Sequence, residues 1–436
     1  MWTAGALAAV AALLLTAGCG GTAPRDDTDG SADGSLDGAT DPDASAAPVV
    51  EGALEPEWVV PVEELNTWVR WRTPEALVIG DWFDLRAVSP DTGEELWRLR
   101  DPEGAIRVCT ISAEAGPNGI AGIVFEATDG TRPSGCSLVA AVDLATGELL
   151  WTADHSATVA YPSETADVSV GERVLTVSLA CGETYRHDAA RGTELSHPVT
   201  PDDACKHRAA HSGRHLVVQD MPDGVANELR LHDVETEALL WSAPLERGTR
   251  LLGVVTDDPL ILDIELDGVR AYRVYDEDGR PVRTVGEPIS GTNGIGMGPA
   301  PMPGQPEQVF GDGVMLAGYE GKMTVGAYDL ATGELLHTRP MVNGRALGIR
   351  DGMELSVALV VDPAVSRFKI AELRSWDIRE GTEPEVLGRV APLPASDAAG
   401  DRGDLMYPAG WDGEWFYVLH KHLGEGSQLA AYQVPG

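Results

Sequence analysis

Short apolar runs recur along most of the chain, separated by clusters of Gly, Pro, Asp and Ser, and within the runs apolar and polar positions tend to alternate. That period of two predicts strands rather than helices. Leu77-Val78-Ile79, Ile120 to Phe125, Val174 to Leu179, His215 to Val218, Leu260 to Ile264 and Leu355 to Val361 are such runs. Behind each comes a self-similar stretch. The clearest copy is Ala141-Val142-Asp143-Leu144-Ala145-Thr146-Gly147-Glu148-Leu149-Leu150-Trp151, with a near twin from Ala327 to His337 and a third copy from Ala87 to Trp97. Weaker copies run from Leu231 to Trp241, from Arg186 to Leu195, from Val274 to Gly279 and from Trp376 to Gly381.

Each copy reads as a hairpin. A strand ends at Asp, whose carboxylate can accept hydrogen bonds from the turn's backbone N–H groups. Gly then takes the left-handed position before the return strand. The marker positions are 93, 147, 192, 237, 279, 333 and 381, with Glu standing at 237, and they lie 42 to 54 residues apart. About four strands in that length is the repeat of a propeller blade. The chain closes with Leu429-Ala430-Ala431-Tyr432-Gln433-Val434, a third strand with no return strand. The body opens with Leu54-Glu55-Pro56-Glu57-Trp58-Val59-Val60, a return strand with no hairpin. Joining the two completes an eighth blade and removes both open edges. The expected fold is therefore all-β. It is an eight-bladed β-propeller of four-stranded blades over residues 53–436, with velcro closure between the N-terminal strand and the last blade, and a monomer.

The A-x-D-x-x-T-G-x-x-x-W pattern resembles the tryptophan-docking motif of the PQQ-like (quinoprotein-type) β-propeller repeat family. The resemblance covers most of residues 54–436, and the copy ending at Trp151 matches every marked position. It implies that Trp58, Trp97, Trp151 and Trp241 are structural docking residues that pack on the neighbouring blade and bind no ligand. His337 and Ser196 stand where the pattern has Trp, so docking is not implied there. A lipid-anchored propeller of this size also resembles the accessory lipoprotein of the Gram-negative outer-membrane assembly machine. The Arg-over-Lys, Ala-, Gly- and Asp-rich composition resembles instead a high-GC Gram-positive source, where that machine is not expected.

Residues 2–18 carry no charge, and Leu15-Thr16-Ala17-Gly18-Cys19 resembles a bacterial lipobox, with Cys19 as the lipid-attachment residue. Residues 1–18 are expected to be a signal peptide, although Met1-Trp2-Thr3 lacks the usual positive charge. An uncleaved membrane anchor and a non-lipidated signal are the alternatives, the apolar run being short for a span. Residues 19–52 read as a lipid-anchored, disordered acidic linker. Seven Asp and one Arg in residues 20–50, with almost no large apolar residue, cannot offset the entropy of ordering. As a coil this tether would reach roughly 30 Å. The expected address is the extracytoplasmic face of the cell membrane.

The whole chain has 69 acidic and 32 basic residues, a net charge of −37, and only four Lys. Such a balance argues against nucleic acid, because phosphate-backbone binding needs a basic face. A hydrophobic fraction of 43% excludes global disorder.

Beyond Cys19, four cysteines remain, and in an exported chain an even remainder suggests disulfides. The favoured pairing is Cys109–Cys136 with Cys181–Cys205; the other pairings and four free thiols stay open. The catalytic relatives implied by the resemblance hold PQQ with Ca²⁺, many against an adjacent Cys-Cys pair. This chain has no such pair, so no cofactor is expected.

Other motifs are incomplete. Cys205, His207, His211 and His215 approach metal-ligand spacing, but Gly213 and the strand-like His215 to Val218 place them on a loop and a strand. His420 and His422 share a strand face. Tyr275-Asp276-Glu277-Asp278-Gly279 has Val285 where a calcium loop needs its bidentate acid, and reads as a hairpin turn. Gly294 to Gly298 opens no helix, and Gly318 to Lys322 lacks the full phosphate-loop pattern. The reading is a non-enzymatic, surface-anchored scaffold that binds an envelope protein or a small ligand on an axial face. Residues 291–308, rich in Gly, Pro and Met, read as a floppy insertion, with a binding loop as the alternative. The alternative is an extracellular enzyme acting on a sugar or other small molecule at an axial pocket.

Overall fold

In a computed structural model the repeat copies fold as eight antiparallel sheets. The structure describes residues 52–62, 68–80, 84–128, 133–156, 166–179, 183–196, 206–221, 228–290, 309–318, 324–340, 344–361, 369–391, 393, 405–411, 414–422 and 426–435, all within one unit, Ser45–Gly436. Cys19, the segments 1–18 and 20–50, Cys181, Cys205, residues 291–308 and Lys322 lie outside the described residues.

Blade one comprises Trp68–Arg72, Leu77–Gly80, Leu85–Val88 and Glu95–Arg98, from the axis outward. Blade two comprises Ala105–Ile111, Ile120–Thr128, Pro133–Asp143 and Glu148–Asp154. Blade three has Asp167–Val170, Val174–Ser178 and Thr184–Asp188; a single bridge, His187 to Glu194, stands where a fourth strand would pair. Blade four has His207–His211, His215–Asp220, Glu228–Asp233 and Leu239–Pro244; blade five has Thr249–Asp257, Leu260–Leu266, Val269–Tyr275 and Pro281–Ser290. Blade six has Val309–Gly311, Val314–Gly318, Thr324–Asp329 and Leu335–Pro340; blade seven has Gly344–Arg350, Met353–Val361, Lys369–Asp377 and Glu385–Val390. Blade eight joins Leu405–Trp411, Trp415–His422 and Gly426–Gln433 to Trp58–Val62. The eight-bladed propeller expected from the repeats is the fold.

Closure follows the expected route. Trp58–Val62 pairs antiparallel with the final strand, from Trp58 opposite Ala431 to Val62 opposite Ser427. Blade one's inner strand then packs on blade eight, where a Cβ on Gly410 would come 2.9 Å from Val69.

Second strands are sandwiched between neighbouring blades, so Leu77–Gly80 and Val174–Ser178 are buried at every position. Outer strands have one covered face and alternate, as Trp58–Val62 does. This is the physical origin of the contrast between continuous apolar runs and alternating ones in the sequence.

At the hairpins the Asp carboxylates take the predicted bonds. Ala145 N donates to Asp143 Oδ1 at 2.8 Å, Thr236 N to Asp233 Oδ1 at 2.7 Å and Thr332 N to Asp329 Oδ1 at 2.7 Å. Six marker glycines have φ between 64° and 77°. Their missing Cβ has a second use, because the preceding blade's docking side chain lies on it. A Cβ on Gly93 would stand 2.9 Å from the Trp58 ring, one on Gly192 2.6 Å from Trp151, and one on Gly279 2.5 Å from Trp241.

Candidate functional site

The docking tryptophans lie at the junctions between blades. Trp58 Nε1 donates to Pro90 O at 2.7 Å, Trp97 Nε1 to Leu144 O at 3.0 Å, and Trp151 Nε1 to Ala189 O at 2.8 Å. Trp241 stacks on Tyr275 with ring centroids 5.8 Å apart. In each case the side chain reaches the turn of the next blade.

Sequence reasoning missed the occupants of the other four junctions. Arg283 lies over Gly333 and donates to Leu330 O at 2.8 Å. His337, where docking was not implied, lies over Gly381 with Nε2 3.1 Å from Arg379 O. Between blades three and four, Glu237 replaces Gly at φ 62°, and its Cβ leaves no seat for an indole. Ser196 is correspondingly small, and Arg186 fills the gap from the third strand. Its guanidinium bonds Ser196 O, Glu237 Oε1 and Val234 O. Burial pushes the Arg186 pKa down, and Glu237 opposes that push most strongly. Between blades seven and eight no hairpin exists to dock on. Glu385 stands at the docking register, opposite Ser375, and Leu54 packs instead onto Gly388, 2.6 Å from where its Cβ would be.

The sequence-derived metal candidates separate. His207–His211 is itself a strand rather than part of a loop. His207 Nδ1 meets Asp220 at 2.6 Å, His211 Nδ1 meets Ser169 Oγ at 2.7 Å, and His215 Nδ1 meets Asp257 at 2.8 Å. Burial pushes the His211 pKa down, so its ring is neutral at pH 7. Ser169 also donates to Ser212 O at 2.8 Å, which ties blade three to blade four's turn. His420 is fully buried, 3.0 Å from the Tyr432 hydroxyl. The Asp276 turn is a hairpin, as expected: Asp278 N and Arg280 N donate to Asp276 Oδ1. Among the described residues no three His, Cys, Asp or Glu side chains converge as a metal site. Cys109 and Cys136 form a disulfide within blade two, with Cα atoms 5.9 Å apart.

The candidate binding surfaces are the two axial ends. Antiparallel alternation puts every first-to-second and third-to-fourth turn on one end, the turn face, and the remaining connections on the other. Among the described residues, clefts on the turn face include two with distinct linings. One, of about 640 Å³, lies between blades one and two and is lined by Trp71, Arg72, Glu75, Glu114, Asn118 and Asp143 among others. It is positioned by Trp71 Nε1, which donates to Ser112 O at 3.0 Å, and by Asn118, which donates to Glu172 O at 2.8 Å. The second, of about 560 Å³, lies between blades five and six around Asp258, Pro259, Phe310 and Asp312. The perimeter differs: Leu96, Leu150, Leu240 and Val282, each next to a docking residue, are exposed on the outer strands.

No protein-family model matches this chain, and no curated protein matches it in sequence. Solved structures do resemble it. The computationally designed Ika8 protein aligns at TM-score 0.52 and 13% identity, over 87% of this chain and 99% of that one. BamB from Moraxella catarrhalis aligns at TM-score 0.47 and 12% identity, over 87% and 99%. The quinohemoprotein alcohol dehydrogenase ADHIIG from Pseudomonas putida HK5 aligns at 0.47 and 11%, over 90% and 79%. At such identity the Ika8 likeness speaks for the fold alone, and the ring of eight sheets makes this chain a β-propeller.

Proposed function

We propose that the protein is a non-enzymatic binding scaffold built on a propeller of the PQQ-like repeat type, anchored through Cys19 at the extracytoplasmic face of the cell membrane, and that it takes a protein or small ligand on its turn face. The observation that carries the reading is the use made of the repeat residues. Asp143, Thr146 and Gly147 and their counterparts are occupied by hairpin hydrogen bonds and docking contacts. Ser169 and His211 tie blade three to blade four, and His215 and Asp257 tie blade four to blade five. What is left over for recognition is concave and presented by turns, as at these clefts. The Cys109–Cys136 disulfide supports an oxidising compartment.

The test is photo-crosslinking in intact cells from a reactive residue placed at Asn118 or Thr256 on the turn face, against Leu96 or Leu240 on the perimeter. The reading expects discrete adducts from the turn-face positions only, and loss of them in Cys19→Ser, which should leave the membrane fraction or stay unprocessed. Adducts from the perimeter alone would contradict it.

A further inference from the structure

Seven of the eight junctions between blades are closed by broad apolar packing. Among the described residues each holds eight or more buried apolar side chains, such as Ala210, Val217, Leu231, Leu251 and Leu262 between blades four and five. Between blades three and four the buried apolar cluster is only Val174, Leu216, Val218 and Val234. Arg186, rather than an indole, bridges to the turn there.

Register shows what replaces the apolar contacts. Val168, Val170, Leu175, Val177 and Tyr185 of blade three pack toward blade two. The alternate positions turn to blade four. They form one row of Asp167, Ser178 and Thr184 and a second of Ser169, Thr176 and Arg186. Blade four answers with His211 and His232, which flank Leu216 on one face. Both rings are buried, and their tautomers are fixed by hydrogen bonds. Ser169 Oγ gives its proton to Ser212 O and so accepts from His211 Nδ1, while His232 Nδ1 donates to Glu237 O at 3.2 Å. Each Nε2 therefore carries a lone pair. Among the described residues neither Nε2 has a hydrogen-bond partner, and nor does Thr176 Oγ1. Asp167 Oδ2 lies 3.8 Å from His211 Nε2 but is largely exposed. His207, Asp220 and Arg230 are bonded to one another on the face that carries His232, with Glu228 opposite Asp220, and Arg186 pairs with Glu237 at the turn. Burial pushes both histidine pKa values down, opposed at His211 by Asp167 and at His232 by Glu237, where Arg230 adds to the push.

We propose that the junction between blades three and four is an acid-labile seam, at which the propeller opens below neutral pH while the other junctions stay closed. A proton on either Nε2 would put a new cation into a buried junction that already holds Arg186 and Arg230. Freed to solvent, the rings take protons near pH 6.5. Below that value the open seam binds protons that the closed seam does not, so opening becomes more favourable as the pH falls. Little apolar packing opposes it here. His155 and His187, whose Nε2 atoms are 3.1 Å apart, lie instead at the junction of blades two and three with its larger apolar cluster. The seam stands independently of partner capture on the turn face.

The test is amide hydrogen exchange of the purified full chain, read by mass spectrometry at pH 7.5 and 5.5 and corrected for intrinsic rates. At the lower pH each ring held neutral by the closed seam makes opening about tenfold more favourable. Protection of Val174–Ser178 and His215–Asp220, the second strands on either side, should fall by about that factor or more. Ile120–Thr128 and Met353–Val361 should keep theirs. His211→Asn combined with His232→Asn retains a side-chain N–H for Ser169 and Glu237 but takes no proton, and should level the seam's exchange between the two pH values. If that variant does not fold, the parent's exchange map decides alone. A loss of protection shared by all blades, a loss confined to Ile120–Thr128, or an acid response kept by the double variant would overturn the seam.

Discussion

Deleting Leu54–Val60 will cost the protein more stability than any single side-chain truncation in it. The segment supplies most of the fourth strand of blade eight, so its loss bares the edge of Gly426–Gln433. It removes Trp58 from its seat on Gly93 and from Pro90 O, which opens the junction between blades eight and one. It also removes Leu54 from Gly388, which opens the junction between blades seven and eight. Loss of a buried Trp alone typically costs about 3–5 kcal/mol. The deletion adds the ladder and a second junction, and an exposed edge invites edge-to-edge association. Removal of residues 25–45 should leave the melt nearly unchanged. Thermal denaturation of the two deletions side by side is the measurement, and equal midpoints would contradict the closure.

The second large effect is expected at Arg339. Its guanidinium makes a two-point bond to Glu354, with Nε 2.6 Å from Oε2, and lies 5.7 Å from the Trp376 ring centroid. Glu354 has no solvent exposure. Arg339→Ala strands that carboxylate between blades six and seven, and breaking a buried pair by removing one partner costs about 3–5 kcal/mol. Replacing both residues by apolar groups of similar volume, Arg339→Met with Glu354→Leu, should recover most of the loss, since a buried ion pair is close to neutral against a packed apolar pair. Urea titration of the single and double variants gives the answer. A single variant within about 1 kcal/mol of the parent would mean that water reaches Glu354.

Much of this architecture was legible in the sequence because a propeller is a local repeat. Each hairpin writes its Asp, its Gly and its return strand within eleven residues, and closure was readable from two half-blades at opposite ends. The junctions at Arg186, Arg283, His337 and Leu54 were not, because docking is a contact between copies and its chemistry needs only an N–H donor or an apolar filler of the right reach. One signal was present: the copy with Glu at 237 and the copy with Ser at 196 are neighbours, so both departures fall on one junction.

The repeat residues build blades, and the proposed scaffold is expected to bind without catalysing. Purified residues 20–436, given PQQ and Ca²⁺, should show neither saturable quinone binding nor dye-linked oxidation of alcohols or sugars. A quinone enzyme needs a cofactor slot, a bound cation and a base at the substrate carbon. Here Asp143, Thr146 and Gly147 are engaged in the turn itself. Stoichiometric PQQ uptake with turnover that chelation abolishes would contradict the claim and make the chain a short quinoprotein.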